Sequence, residues 1–145
     1  MRILLQRVAR ARVSVADKVI AEIGPGLMLL VGVGPTDEEE QARYLANKIA
    51  NLRIFEDQDG KMNRSLLEVG GSALVVSQFT LFADTRKGRR PSFTDSAPPS
   101  IAEPLVERFA ALLEELGVPT QTGEFGAHML VEIANDGPVT ILLER

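Results

Sequence analysis

Two stretches of helical period, set into a chain that otherwise reads as strand and turn, fix the class of fold open to this sequence. Ala42, Leu45, Ile49 and Leu52 recur at i, i+3, i+7 and i+10, and Ile101, Leu105, Phe109, Leu112 and Leu116 form a second stripe in the other half of the chain. Each stretch opens on the form of a capping box, Thr36 to Glu39 and Ser100 to Glu103, and Gly117 with Pro119 closes the second. One apolar stripe buries one face of a helix, so both helices need a sheet to cover.

The strands supply that sheet. Arg2 to Val8 reads as a first strand and residues 12–16, which alternate apolar and polar, as a second. Asp17-Lys18 is a turn, Val19 to Ile23 a return strand, and Gly24-Pro25-Gly26 the turn before the continuous apolar run Leu27 to Val31. Ile54-Phe55 and the turn residues 57–60 follow the first helix, while residues 63–67 carry no clear period. Beyond the second helix come Thr120 to Thr122, Met129 to Ala134 and Val139 to Leu143, the last two joined by Asn135-Asp136-Gly137-Pro138, whose composition is that of a β-turn. This order predicts a single α+β domain over residues 1–145, a mostly antiparallel sheet with two helices on one side.

Composition removes many chemistries. The sequence has no cysteine and one histidine, so thiolate catalysis, disulfides and multi-histidine metal sites are excluded. His128, alternating with Met129 on an expected strand, is placed on its less buried face. No Walker loop, Rossmann glycine pattern or metalloprotease helix motif is present, and Asp57, Asp59 and Gly60 lack the other ligands of a calcium loop. Neither a cofactor nor a metal is expected. No apolar run reaches a membrane span and residues 1–7 do not form a leader, so the expected location is the cytoplasm. A net charge of −4 argues against a protein that coats nucleic acid, yet Arg86, Lys87, Arg89 and Arg90 place four cations in five positions, and Arg7, Arg10 and Arg12 form a second group. A charge run of this kind is either a solvated loop or a phosphate contact.

Chemistry concentrates where the apolar strand from Gly70-Gly71 through Val75 and Val76 runs into Ser77-Gln78-Phe79-Thr80. A buried strand end does not ordinarily carry three hydrogen-bonding side chains in four residues, since each one buried without a partner costs roughly 1–3 kcal/mol. Either the fold satisfies them or they line a site. Main-chain amides fixed at such a strand end can stabilise an oxyanion, each donor being worth roughly 2.7–4 kcal/mol.

Ser77-Gln78-Phe79-Thr80 with Asp84, then Arg90-Pro91-Ser92-Phe93, and finally Asn135-Asp136-Gly137-Pro138-Val139-Thr140 resemble the D-aminoacyl-tRNA deacylases in content and in order. Gln6-Arg7-Val8, Arg53-Ile54-Phe55, Gly60-Lys61-Met62-Asn63 and Thr120-Gln121-Thr122-Gly123 extend the resemblance along nearly the whole chain. It implies a barrel-like core and a homodimer with the active site at the subunit interface. It further implies hydrolysis of the ester of D-aminoacyl-tRNA, and of glycine misattached to alanine tRNA. The resemblance assigns catalysis to Gln78, Phe79 and Thr80 with Ser77 as support, and substrate contact to Ser92 and Phe93. It makes Gly137-Pro138 a cis unit that rejects L-amino acids from the partner's active site, with Arg7 holding that unit in place. The cluster Arg86, Lys87, Arg89 and Arg90 becomes a tRNA phosphate patch. Two readings compete: a non-catalytic RNA-binding module using the same cluster, and a small-molecule esterase, which would need a protein nucleophile that these residues do not assemble.

Overall fold

The computed structural model describes residues 1–145. In order the elements are β1 (Arg2–Val15), β2 (Lys18–Ile23), β3 (Gly26–Gly32), α1 (Glu39–Asn51), β4 (Phe55–Glu56), β5 (Met62–Arg64), α2 (Leu66–Val69), β6 (Ser72–Ser77), a 3-10 turn (Phe79–Phe82), α3 (Pro99–Glu115), β7 (Thr120–Thr122) and β8 (Met129–Glu144). The main sheet runs β2-β1-β3-β6-β7, with β8 paired to β1. The pairs β1–β2, β1–β3 and β1–β8 are antiparallel, while β3–β6 and β6–β7 are parallel, so the sheet is mixed. Its two ends approach each other where the Glu22 amide donates to Gln121 Oε1 at 2.9 Å, which nearly closes the sheet into a barrel.

Both faces of the central strands are buried, which is why they read as continuous apolar runs. Leu27, Leu29, Ala73 and Val75 pack with Leu45, Ile49, Phe109 and Leu113 of the two long helices. Met28, Leu74 and Val76 point the other way, to meet Val8, Val13 and Ile23 inside the barrel. The expected α+β architecture with two helices on one side is therefore present, with α2 as a short third helix. Ser65 and Glu68 form the capping box of α2 and Gly70, at φ +63°, ends it, in the stretch where sequence periodicity is silent.

Three local expectations need correction. Residues 2–15 are one strand, not two: the first half of β1 pairs β3, the second half pairs β2, and register shifts around Val8 against β8 accommodate the change of neighbour. Asn135-Asp136-Gly137-Pro138 does not turn the chain. Gln6 faces Thr140 and Val8 faces Asn135, so residues 136–139 stand against Arg7 alone and form a wide bulge in a strand that continues along β1. The helix starts are displaced as well. Glu38 caps α1, with Gln41 Oε1 accepting from its amide at 3.0 Å, and α3 begins at Pro99 without a side-chain cap. Proline suits that place because the first amides of a helix have no partner to lose.

Candidate active site

The site starts from the way β6 ends. Ser77 is the last residue in register with β3, opposite Val31, and the Gln78 amide donates to the Val31 carbonyl at 2.7 Å. The backbone then tightens into the 3-10 turn, closed by Leu81 N–H to Gln78 O at 3.2 Å and Ala83 N–H to Thr80 O at 3.0 Å. The amides of Phe79 and Thr80 open this turn and have no acceptor inside it. Across the turn the Gln78 side-chain amide donates to Thr80 Oγ1. With that oxygen accepting, the Thr80 hydroxyl proton is left to donate elsewhere.

Beside the turn lies an open cleft of about 550 Å³, with Ser77, Gln78 and Phe79 on one side and Ala97, Phe125 and His128 among its other lining residues. Its surface is largely apolar with few polar groups, the usual make-up of a small-molecule pocket. Thr80 stands outside the lining, and Phe79 is 54% exposed. The Phe93 ring meets the Phe79 ring edge to face, with centroids 5.0 Å apart, so the fold brings Phe93 to the motif, although Phe93 does not itself line the cleft. Ser92 exchanges both backbone hydrogen bonds with Asp84, at 2.8 and 2.9 Å, and thereby closes the base of the basic loop. His128 is exposed in the segment just before β8, not on a strand face, and it lines the cleft.

Within the basic cluster the four cations are not equivalent. Arg86 makes a fork to Asp84, Nε to Oδ1 at 2.9 Å and Nη2 to Oδ2 at 2.8 Å. The guanidinium holds the Asp84 carboxyl below the usual carboxylate range, and the carboxylate raises Arg86 in turn. Lys87, Arg89 and Arg90 are exposed on the loop and have no such carboxylate partner.

The bulge in β8 is built around Arg7, which is 5% exposed. Its Nη1 donates to the Ile54 carbonyl at 2.7 Å and its Nε to the Asp136 carbonyl at 3.1 Å, with the Asp136 and Glu56 carboxylates 3.5 and 3.8 Å away. Asn135 staples the bulge from within: its Oδ1 accepts from the Val139 amide and its Nδ2 donates to Thr140 Oγ1, both at 3.0 Å. Gly137 has φ +129° and the Gly137-Pro138 bond is cis. Arg7 faces Leu27 and Leu27 faces Ala73, so the bulge lies at the level of Ala73, four residues before Ser77 on β6. At about 3.3 Å per residue that is about 13 Å along the strands, in addition to three strand spacings across. One chain therefore gathers Ser77, Gln78, Phe79, Thr80 and Phe93, and does not bring Gly137 and Pro138 to them.

Two features of this region have no local signal in the sequence. Phe125 and His128 reach the cleft only because the segment after β7 folds back, anchored by Gly123 N–H to Val75 O at 2.9 Å. Arg2 reaches the 3-10 turn from the opposite end of the sequence, donating from Nη1 to the Leu81 carbonyl at 3.0 Å. No group of three or more His, Asp or Glu side chains stands close enough to share a metal ion. The carboxylate of Asp57 is engaged by the Asp59 and Lys61 amides and by Asn63. No helix is long and apolar enough to cross a membrane.

The profile of the D-Tyr-tRNA(Tyr) deacylase family matches residues 4–144. A D-aminoacyl-tRNA deacylase of Roseiflexus sp. (strain RS-1) is 62% identical over 144 residues, which cover 99% of this chain and 93% of that one. The D-aminoacyl-tRNA deacylase of Thermomicrobium roseum is 63% identical over 144 residues, with 99% and 94% covered. Among solved structures, the c-Myc DNA Unwinding Element Binding Protein superposes with a TM-score of 0.94 at 40% identity, covering 100% of this chain and 99% of the other. A probable eukaryotic D-amino acid tRNA deacylase shares the fold, with a TM-score of 0.85 at 20% identity and 98% and 97% covered. From the match over nearly its whole length, this chain belongs to the D-Tyr-tRNA(Tyr) deacylase family.

Proposed function

We propose that this protein hydrolyses the ester linking a D-amino acid to the 3′ end of tRNA, with the residues at the end of β6 as its active site. The observation that carries the reading is the Gln78 amide on Thr80 Oγ1, beside turn-opening amides at the mouth of a cleft. A hydroxyl held this way is a donor, not an activated nucleophile, because an amide side chain cannot take its proton. Thr80 then orients water or the substrate's ribose hydroxyl. The Phe79 and Thr80 amides supply the electrostatic stabilisation of the tetrahedral intermediate. The ester is activated by its neighbouring 2′-hydroxyl, so positioning and charge stabilisation are the protein's contribution. Phe93, edge-on to Phe79, and Ser92 offer a surface for the terminal adenosine, and Lys87, Arg89 and Arg90 one for the phosphates behind it.

The active form in this reading is a homodimer whose pocket is completed by the Gly137 and Pro138 carbonyls of the partner subunit. Three observations support it: the bulge lies well away from its own chain's cleft, it is pinned by a buried arginine, and β8 leaves Leu130 and Leu142 exposed at 62% and 53%. Those carbonyls hold the substrate's amino group by charge-assisted hydrogen bonds and direct an L side chain into protein. Glycine has no side chain to exclude, so glycyl-tRNA(Ala) is a second substrate.

Matched D- and L-Tyr-tRNA incubated with the purified protein test the proposal. Shortening of the ester lifetime for D alone supports it; equal lifetimes with and without protein remove it. The second reading, a nucleic-acid-binding module, is favoured by the exposed cations and by the name of the 40% identical structure. It requires salt-dependent tRNA binding with no change in ester lifetime.

A further inference from the structure

The turn that carries Phe79 and Thr80 is held at two points. Upstream, the Gln78 amide is fixed on the Val31 carbonyl at 2.7 Å. Downstream, the Leu81 carbonyl, one of the acceptors that a turn this short leaves without an internal partner, takes the Arg2 Nη1 at 3.0 Å. The same guanidinium lies 4.6 Å from the centroid of the Phe82 ring, and its Nε is 2.6 Å from Glu144 Oε1. Phe82 in turn rests against Gly32 and Gly34: a Cβ added at Gly32 would lie 3.1 Å from the Phe82 ring, the Leu81 Cβ and the Gln78 carbonyl. The turn is thus pressed onto a bare stretch of β3 on one side and clamped by Arg2 on the other. Only Phe79 and Thr80 lie between the two pinned residues, Gln78 and Leu81.

We infer that Arg2 is a positioning residue for deacylation, acting through Leu81 and Phe82 to fix the amides of Phe79 and Thr80. The inference rests on the active-site assignment proposed above. A planar guanidinium suits the task because one group donates an N–H to a carbonyl, sets its charge beside a carboxylate and turns a face to a ring; an ammonium cannot do all three. A turn released at Leu81 still allows the tRNA to bind, since phosphate and adenosine contacts are made elsewhere. It loses the alignment that matters in the transition state.

Steady-state deacylation of D-Tyr-tRNA(Tyr) by the full chain, with melting temperatures measured in parallel, tests this. Arg2→Met is expected to lower kcat about 10- to 100-fold while KM moves less than about threefold, and Arg2→Lys to fall between it and wild type. Glu144→Gln, which removes the ion pair but leaves the bond to Leu81, should keep kcat within about threefold. Amide exchange of a peptide spanning residues 78–83 should accelerate in Arg2→Met only. Gly32→Ala, which crowds the same turn from β3, should reproduce the kcat loss if Arg2→Met does not fold. A wild-type chain without activity would remove the deacylase reading itself. Active wild type with unchanged kcat in Arg2→Met, or a Glu144→Gln loss as large as that of Arg2→Met, would remove the role of Arg2 alone.

Discussion

The bulge at residues 136–139 and the turn at residues 78–82 are both short irregular segments at strand pairings, and they are held in opposite ways. The bulge is tied from inside by Arg7, whose guanidinium is buried and bonded to two carbonyls, and by an asparagine that bonds across it. The turn is tied from outside by Arg2, whose side chain is 40% exposed, and by backbone hydrogen bonds. A buried arginine with satisfied partners makes a stiff wall, because removing any one contact leaves a polar group unpaired in protein. A surface arginine adds little to global stability, so the contact of Arg2 with Leu81 orients one turn without holding the fold together. A wall on which the fold itself depends suits the refusal of a side chain, and a clamp that acts on one turn alone suits the alignment of a reacting centre, which are the roles proposed for the two segments.

The comparison breaks most sharply at the two arginines. Arg7→Met should destabilise the protein by about 3 kcal/mol, since the Ile54 carbonyl loses its donor in a buried place and the bulge loses its anchor. For a domain of this size that lowers the melting temperature by roughly 6–12 °C. Arg2→Met should melt within about 2 °C of wild type. Calorimetry on both variants decides the matter, and equal melting temperatures would erase the distinction.

Gly137→Ala tests the wall while keeping the Arg7 side chain and its partners in the sequence. An added Cβ would lie 2.9 Å from Val139 Cγ2 and 3.1 Å from Arg7 Nη2, at a φ of +129° that L-residues rarely adopt. The expected cost is about 1–3 kcal/mol of stability, together with a smaller ratio of D- to L-Tyr-tRNA hydrolysis. A variant that is less stable yet discriminates as well as wild type would make the bulge a matter of folding only.

Thr80→Ala comes next. Its side chain is exposed, so stability should move by less than about 0.5 kcal/mol. Loss of one orienting hydroxyl should lower kcat about tenfold and leave measurable turnover. Quenched reactions of the wild type followed by mass spectrometry should show no acyl group on Thr80; an adduct there would make it the nucleophile.

Much of the architecture is legible in the sequence because it depends on periodicity. The stripes of α1 and α3 and the two-sided apolar runs of β3 and β6 state their own burial. What is not legible depends on partners remote in sequence. Asn135-Asp136-Gly137-Pro138 has the composition of a turn, and only the pairing of Gln6 with Thr140 and Val8 with Asn135 makes it a bulge. The change of neighbour along β1 is set by β2 and β3, and neither leaves a mark at Ala9 or Arg10. In the same way Ser77 to Thr80 announce themselves as polar residues at a strand end, whereas Arg2, Phe125 and His128 join the region only through the fold.

The smallest expected effect lies in the basic loop, where the contrast between a committed and an uncommitted arginine recurs at the surface. Each phosphate contact made to single-stranded nucleic acid adds about 0.7 to the slope of log affinity against log salt. Lys87, Arg89 and Arg90 are exposed without a carboxylate partner, so replacing all three by Gln should flatten the slope for deacylated tRNA by up to about 2. Arg86 already spends its fork on Asp84, so Arg86→Gln should leave the slope nearly unchanged. Asp84→Asn should steepen it by about 0.7 by releasing Arg86 to the phosphates. The pH dependence has a fixed sign: the Asp84 carboxyl is held below its usual range by Arg86, so the pair persists above that depressed value and opens only as pH falls through it. Filter-binding titrations at several salt concentrations near neutral pH read these slopes directly. Equal slopes for Arg86→Gln and for single replacements of Arg89 or Arg90 would show that the fork to Asp84 does not withhold Arg86 from tRNA.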